Sequence, residues 1–162
     1  VCLEKCEDIF DYDDNLVMES KICIQYIGEK APRYASAEAS GADLYAHIEL
    51  PCVIKSKDTC VIPTGLKIAI PCGYEAQVRP RSGLAFHHGI TVLNSPGTID
   101  SDYRGEVKIL LINLGKEDFT LQPGERIAQL VITPTIRAEF KKVDVLTSTQ
   151  RNEGGFGSTG KI

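Results

Sequence analysis

Short apolar runs, most of them with a period of two, recur along the chain at residues 22–27, 52–54, 60–62, 66–70, 74–78, 90–93, 107–112, 127–132 and 137–143. Side chains of a strand alternate between its faces, so such runs read as strands with one face buried. Between them stand Pro-Thr-Gly at 63–65, Pro-Cys-Gly at 71–73, Ser-Pro-Gly at 95–97, Gln-Pro-Gly at 122–124 and Thr-Pro-Thr at 133–135. Turn signals this frequent, with no sustained 3.6-residue pattern, predict an all-β sandwich or barrel. One short helix is predicted near residues 82–88, with Ser82 as N-cap, Gly89 just past its end and Leu84, Ala85 and His88 turned inward. Residues 94–106 read as a β-hairpin whose turn is marked by Pro96 and Gly97, with Asn94, Asp100 and Tyr103 pointing into a pocket.

The two ends differ from this pattern. Residues 1–20 are read as a leader, an upstream fusion or a loosely attached arm, acidic at Glu4, Glu7, Asp8, Asp11, Asp13 and Asp14. The cluster from Asp11 to Asp14 reads as a solvated charge run rather than a cation site. Residues 21–146 carry the strand pattern. Residues 147–162 form a Gly-rich arm in which Phe156 and Ile162 are the large apolar residues of the final stretch. Such a segment buries too little surface to fold alone and is expected to be mobile until a ligand orders it. Residues 155–161 mimic a P-loop in spacing, but Ile162 stands where Ser or Thr is needed.

Composition narrows the function. A chain of 162 residues suits one domain that buries roughly two-thirds of its unfolded surface. A net charge of −4 argues against a surface that neutralises nucleic-acid backbones, so phosphate chemistry has to be made locally by a few placed groups. No apolar run spans a bilayer and no signal segment opens the chain, so a soluble, intracellular and most simply cytoplasmic protein without membrane partners is expected. None of the six cysteines forms a Cys-x-x-Cys pair, and Cys23, Cys52, Cys60 and Cys72 are read as buried thiols within or beside strands. His87 and His88 point about 100° apart on a helix and lack a third ligand spaced for zinc.

Five segments then occur in order: Ser40-Gly41-Ala42-Asp43-Leu44-Tyr45, Arg79-Pro80-Arg81-Ser82-Gly83-Leu84-Ala85, the stretch from Asn94 to Glu106, Gly124-Glu125-Arg126-Ile127-Ala128-Gln129-Leu130, and Arg151-Asn152-Glu153-Gly154-Gly155-Phe156-Gly157-Ser158-Thr159-Gly160. Their order resembles the five motifs of the trimeric dUTPase family. From residue type alone, Asp43 could cap a turn, Ser82 the helix, and Gln129 be a satisfied buried amide.

The resemblance implies a jelly-roll-like β-barrel assembling as a homotrimer, with each active site drawn from three chains. It implies hydrolysis of dUTP to dUMP and pyrophosphate, which limits uracil in DNA and supplies dUMP for thymidylate synthesis. Asp100 would be the catalytic base that draws a proton from the attacking water. Asn94 and the backbone of Gly97, Thr98 and Ile99 would read uracil, and the Tyr103 ring would pack on deoxyribose and exclude a 2′-hydroxyl. Arg81, Ser82, Gly83, Gln129, Arg151, Ser158 and Thr159 would contact the phosphates, Phe156 would cover the uracil, and Gly157 would join the substrate-binding arm. Asp43 would hold Mg2+ through water. Asn152 departs from the Gly usual in the arm. A dCTP deaminase on the same fold is disfavoured because Leu110 replaces its catalytic Glu, and a catalytically silent nucleotide- or partner-binding barrel is the remaining alternative.

Overall fold

The alternation of apolar and polar residues becomes twelve short strands and one helix over residues 21–155, the part of the chain that the computed structural model describes. The strands are β1 (Gln25–Ile27), β2 (Arg33–Tyr34), β3 (Ala42–Tyr45), β4 (Cys52–Ile54), β5 (Thr59–Pro63), β6 (Lys67–Ala69), β7 (Tyr74–Arg79), β8 (Ile90–Val92), β9 (Gly97–Ile99), β10 (Lys108–Asn113), β11 (Phe119–Leu121) and β12 (Arg126–Pro134), with α1 (Ser82–His88) between β7 and β8. They form a five-stranded sheet in the order β2-β3-β12-β7-β9, a three-stranded sheet β5-β10-β8, and the pairs β1-β6 and β11-β4. Every ladder is antiparallel.

β10 shows how sequence dictates this arrangement. In Lys108-Ile109-Leu110-Leu111-Ile112-Asn113 the buried positions are Ile109, Leu111 and Asn113, so the pleat turns every second residue inward. Leu44, Ile54, Ile62, Ile90, Leu121 and Ile127 arrive from the other strands, and Leu66 from the turn before β6, and are fully buried with Ile109 and Leu111 in one continuous core. Each such side chain contributes roughly 1.5–3 kcal/mol by leaving water.

Five expectations fail. Residues 137–143 form no strand: the chain leaves the sheet after Pro134 and Phe140 stays 94% exposed. The stretch 94–106 is not a hairpin, because β9 pairs with β7 and β10 pairs with β5 and β8, in another sheet. In α1 the N-cap is Arg81 in an extended conformation without a side-chain cap, not Ser82. Of the three residues expected to face inward, only Leu84 packs on the core, while Ala85 and His88 are exposed. The cysteines are less buried than expected: Cys23 and Cys72 are exposed, Cys52 and Cys60 half-buried. β2 (Arg33-Tyr34), β9 (Gly97-Thr98-Ile99) and β11 (Phe119-Thr120-Leu121) lie outside the apolar runs, because each holds only one or two apolar residues beside charged, glycine or turn-rich neighbours.

Asn113 is the polar centre of this core and is fully buried. Its Nδ2 donates to the carbonyls of Ile54 and Glu117, both at 2.9 Å, and its Oδ1 accepts from the Gly115 N–H at 2.9 Å. These bonds tie β4, β10 and the turn before β11 together. Asn113→Ala is expected to cost about 3 kcal/mol, since it strands a buried donor and two acceptors. Denaturant unfolding measures this, and a loss under about 1 kcal/mol would show that water replaces the amide.

Candidate active site

The failed hairpin is what makes a pocket. The chain leaves β8 in the three-stranded sheet, passes the cis peptide Ser95–Pro96, joins the five-stranded sheet as β9 and returns to the first sheet as β10. β9 sets Gly97 opposite Val78, Thr98 opposite Gln77 and Ile99 opposite Ala76. The turn back is closed by the Tyr103 N–H donating to the Asp100 carbonyl at 3.1 Å. The gap left between the two sheets is a cleft of about 250 Å³. Val78, Val92, Ile99, Val107 and Leu110 give it apolar walls, while Asn94, Thr98, Asp100 and Tyr103 edge it with polar groups. Asn94, Asp100 and Tyr103 are exposed, so they stand at the mouth rather than inside a closed pocket. A cleft of this size, below the usual ~300–1,000 Å³ of small-molecule sites, suits one part of a nucleotide rather than all of it.

Two glycines set this geometry. A Cβ on Gly105 would lie 2.3 Å from the Tyr103 hydroxyl oxygen, so only glycine lets that ring lie across the backbone. The hydroxyl donates to the Glu106 carbonyl at 3.1 Å. A Cβ on Gly97 would come within 3.1 Å of Asn94 Nδ2, so the bare backbone there leaves the amide its position. Glu106 lines the same cleft, but its carboxylate is engaged: Oε1 accepts from the Gly65 N–H at 2.9 Å, and Oε2 is 3.8 Å from Lys108 Nζ.

A second cluster lies on the five-stranded sheet. The ladders set Arg33 opposite Asp43, Asp43 opposite Gln129, and Gln129 opposite Arg79, which puts the four side chains in one row on one face. Asp43 is only 7% exposed, and a carboxylate so removed from water requires partners. Arg81 Nε donates to Oδ1 at 3.0 Å and Arg126 Nη1 to Oδ2 at 3.1 Å, while Arg81 Nη1 also donates to the Arg126 carbonyl at 3.1 Å. Gln129 Nε2 donates to the Pro80 carbonyl at 2.9 Å, and a Cβ on Gly41 would strike its Oε1 at 2.1 Å. Beside this cluster Arg33, Tyr45, Arg81, Leu84, Gly124 and Arg126 line a cleft of about 610 Å³. Ser82 opens α1 exposed, and the space beside the Gly83 α-carbon is open.

Asn94, Gly97, Thr98, Ile99, Asp100 and Tyr103 are thus brought together in one cleft, and Asp43, Arg81 and Gln129 in another cluster. Arg151 lines neither cleft; its Nε donates to the Gly154 carbonyl at 2.8 Å in an exposed turn. Asn152 takes a positive φ of 42° and exchanges hydrogen bonds with Thr149, so it adopts the backbone a glycine would adopt and holds it with its side chain. Phe156, Gly157, Ser158 and Thr159 lie outside the described residues, as does the segment 1–20. Arg126 and Glu106 were missed by reading residues singly. Both sit inside recognised segments, Arg126 near Gln129 and Glu106 at the end of the stretch from Asn94, so their charges are usable signals, but the bond of Glu106 to Gly65 is not legible locally. Asp43 is one carboxylate with both oxygens taken by arginine, and the described residues hold no group of three or more metal-type ligands. That donor set does not make a metal cage, but fits a hydrated Mg2+ carried in by phosphates.

The dUTPase family model matches residues 29–160. The deoxyuridine 5'-triphosphate nucleotidohydrolase of Syntrophotalea carbinolica is 58% identical over 129 residues, 80% of this chain and 88% of its own length. That of Treponema denticola is 57% identical over 133 residues, 82% of this chain and 92% of its own. Among solved structures, Staphylococcus bacteriophage 80alpha dUTPase with dUPNHPP is similar at a TM-score of 0.78 and 25% identity, over 86% of this chain and 99% of its own. With the motif order, the crossing strand and both clefts in place, this match over most of the chain decides the family: the protein belongs to the dUTPases.

Proposed function

We infer that this chain hydrolyses dUTP to dUMP and pyrophosphate, as a deoxyuridine 5'-triphosphate nucleotidohydrolase like its relatives. The observation that carries the reading is the cleft edged by Asn94, Thr98, Asp100 and Tyr103, which joins an amide, a carboxylate and an aromatic ring over apolar walls. Asn94 and the backbone of Gly97, Thr98 and Ile99 bind the uracil edge. The Tyr103 ring lies against the deoxyribose and leaves no room for a 2′-hydroxyl. Asp100 orients the attacking water and takes its proton as the oxygen bonds to the α-phosphorus and pyrophosphate leaves. Such a reaction needs positioning and charge stabilisation more than covalent help.

Arg81, Ser82, Gly83, Gln129 and Arg151 serve the phosphates. Mg2+ would be held chiefly by phosphate oxygens, with Asp43 reached through water, and when bound it neutralises phosphate charge. The phosphate-side cleft and the nucleoside cleft share no lining residue within one chain. That separation supports a homotrimer whose sites are completed between subunits. The exposed Ile136, Phe140, Val145 and Leu146 after β12 support it too, since apolar side chains this bare favour a neighbouring copy. No described helix is long and apolar enough to cross a membrane; separately, a substrate drawn from the nucleotide pool supports an intracellular, most simply cytoplasmic, location.

Leu110 lines the nucleoside cleft where a deaminase needs an acid, and the one Glu there is bound to Gly65 and Lys108. A silent binding barrel remains the competing reading. Pyrophosphate release measured across dUTP, dCTP, dTTP and UTP decides between them: turnover of dUTP alone is expected, and binding without release would establish the silent barrel.

Asp100→Asn keeps shape and removes the proton acceptor, so kcat should fall by about 10²–10⁴ with dUMP binding retained; a loss under about tenfold would remove Asp100 from the base role. Tyr103→Ala opens space beside C2′ and should raise UTP turnover relative to dUTP, whereas an unchanged ratio would refute the steric account. Cutting the chain after Thr149 should leave a folded protein that binds dUMP and hydrolyses dUTP poorly, because Arg151, Phe156, Ser158 and Thr159 are read as a closing arm. Near-full turnover of the truncated protein would show that the arm has no part in the chemistry.

A further inference from the structure

Cys52 and Cys60 stand outside both clefts and have no part in the proposed hydrolysis. Their sulfurs are 3.6 Å apart, a thiol–thiol hydrogen-bond contact. Cys52 begins β4 and pairs with Leu121, while Cys60 lies in β5 and pairs with Leu111. Alternation explains why they meet. Ile54 and Ile62 are buried while Val53 and Val61 are more than half exposed, so in each strand the cysteine shares the inward face of the isoleucine two residues on. Both thiols pack at the rim of the core and are half-buried. They therefore sit where the β11-β4 pair meets the three-stranded sheet. The turn between them, residues 55–58, is itself fixed: Asp58 N–H donates to the Lys55 carbonyl at 3.0 Å and Lys57 Nζ to the Leu114 carbonyl at 2.6 Å.

We propose that Cys52 and Cys60 are a thiol-oxidation site at which a peroxide forms an intrachain disulfide joining the two sheets. Two sulfurs already 3.6 Å apart on neighbouring strands of different sheets need close only to about 2.05 Å to form the bond. The Cys52 thiolate attacks one peroxide oxygen, which becomes a sulfenic acid as the O–O bond breaks and hydroxide leaves to be protonated. Cys60 then attacks that sulfur, the S–O bond breaks, and a second water departs with the proton lost by Cys60. Two thiols are oxidised and one peroxide is reduced to two waters. Burial pushes the Cys60 pKa up, and the Cys52 thiol adds to it, so Cys60 suits the second step better than the first. Half-burial also selects the product: a disulfide is neutral and fits a core rim, whereas a sulfinate would bring a charge there.

The test uses the full chain and hydrogen peroxide. Lys55 and Lys57 lie between the two cysteines, so trypsin separates peptide 34–55, which holds Cys52, from peptide 58–67, which holds Cys60, and neither contains another cysteine. After peroxide, native-state labelling by iodoacetamide at both positions should fall by about tenfold, the two peptides should appear joined and lighter by two hydrogens, and dithiothreitol should reverse both changes. In Cys60→Ser the same treatment should leave a Cys52 sulfenic acid that dimedone traps. Three results would overturn the proposal: undiminished labelling of Cys52 and Cys60, their conversion to sulfinic acids without a joined peptide, or linkage of either to Cys23 or Cys72 instead.

Discussion

The buried Asp43 carboxylate is the constraint around which the phosphate side of this molecule is organised. It draws Arg81 from the end of β7 and Arg126 from the start of β12 onto one point of β3, with distances of 3.0 and 3.1 Å. A charge this removed from water is stable only while its partners stay, and deleting one partner of such a pair generally costs about 3–5 kcal/mol. The arginines are placed in return. Arg81 is the N-cap residue of α1, so the ion pair also fixes where the helix begins and where Ser82 and Gly83 are presented. Gln129 is held beside it by the Pro80 carbonyl and by the missing side chain at Gly41. Three segments distant in sequence thus become one rigid cationic corner.

The nucleoside side rests on a different device, the transfer of one short strand between sheets. Had residues 94–106 folded as a plain hairpin, Asn94 and Tyr103 would edge a continuous ladder with no room behind it. Because β9 joins β7 instead, the sheets part and their inner residues Val78, Val92 and Leu110 become pocket walls. The same residues that would have closed a core make an apolar floor, which on the proposed reading would take a planar base. Gly105 then lets Tyr103 fold back across the entrance.

Period-two runs were enough to read β4, β5, β7, β8, β10 and β12 from sequence, because each has at least one face in the core. Sheet membership was not legible, since periodicity says which face is buried but not which strand lies alongside. That is how the crossing at β9 was taken for a hairpin. The run at 137–143 fails for the converse reason: it has the alternation of a strand, yet no strand among the described residues pairs with it. Glu106 ends one of the ordered segments, yet its contacts could not be read there, because they depend on Gly65, 41 residues away. The cysteines were misjudged from composition, since a thiol beside an apolar run can as easily sit at a strand end facing water.

The overall charge of −4 and the cationic corner are compatible because the positive charge is both local and already paired. An arginine left bare to await a polyanion would be hydrated and mobile, and binding would have to order it. Here Arg81 and Arg126 are ordered in advance by Asp43, so on the proposed reading a phosphate group would compete with a carboxylate for donors already held in place. Each Arg–phosphate bond gained weakens an Arg–Asp43 bond, and the net energy of the exchange is smaller than the sum of the new contacts. On the proposed reading the Asp43 carboxylate would hold Mg2+ through water once a phosphate chain shares its arginines. On the proposed reading the corner would favour a chain of phosphates over a single weak anion, since drawing both arginines off one carboxylate takes more than one anionic group.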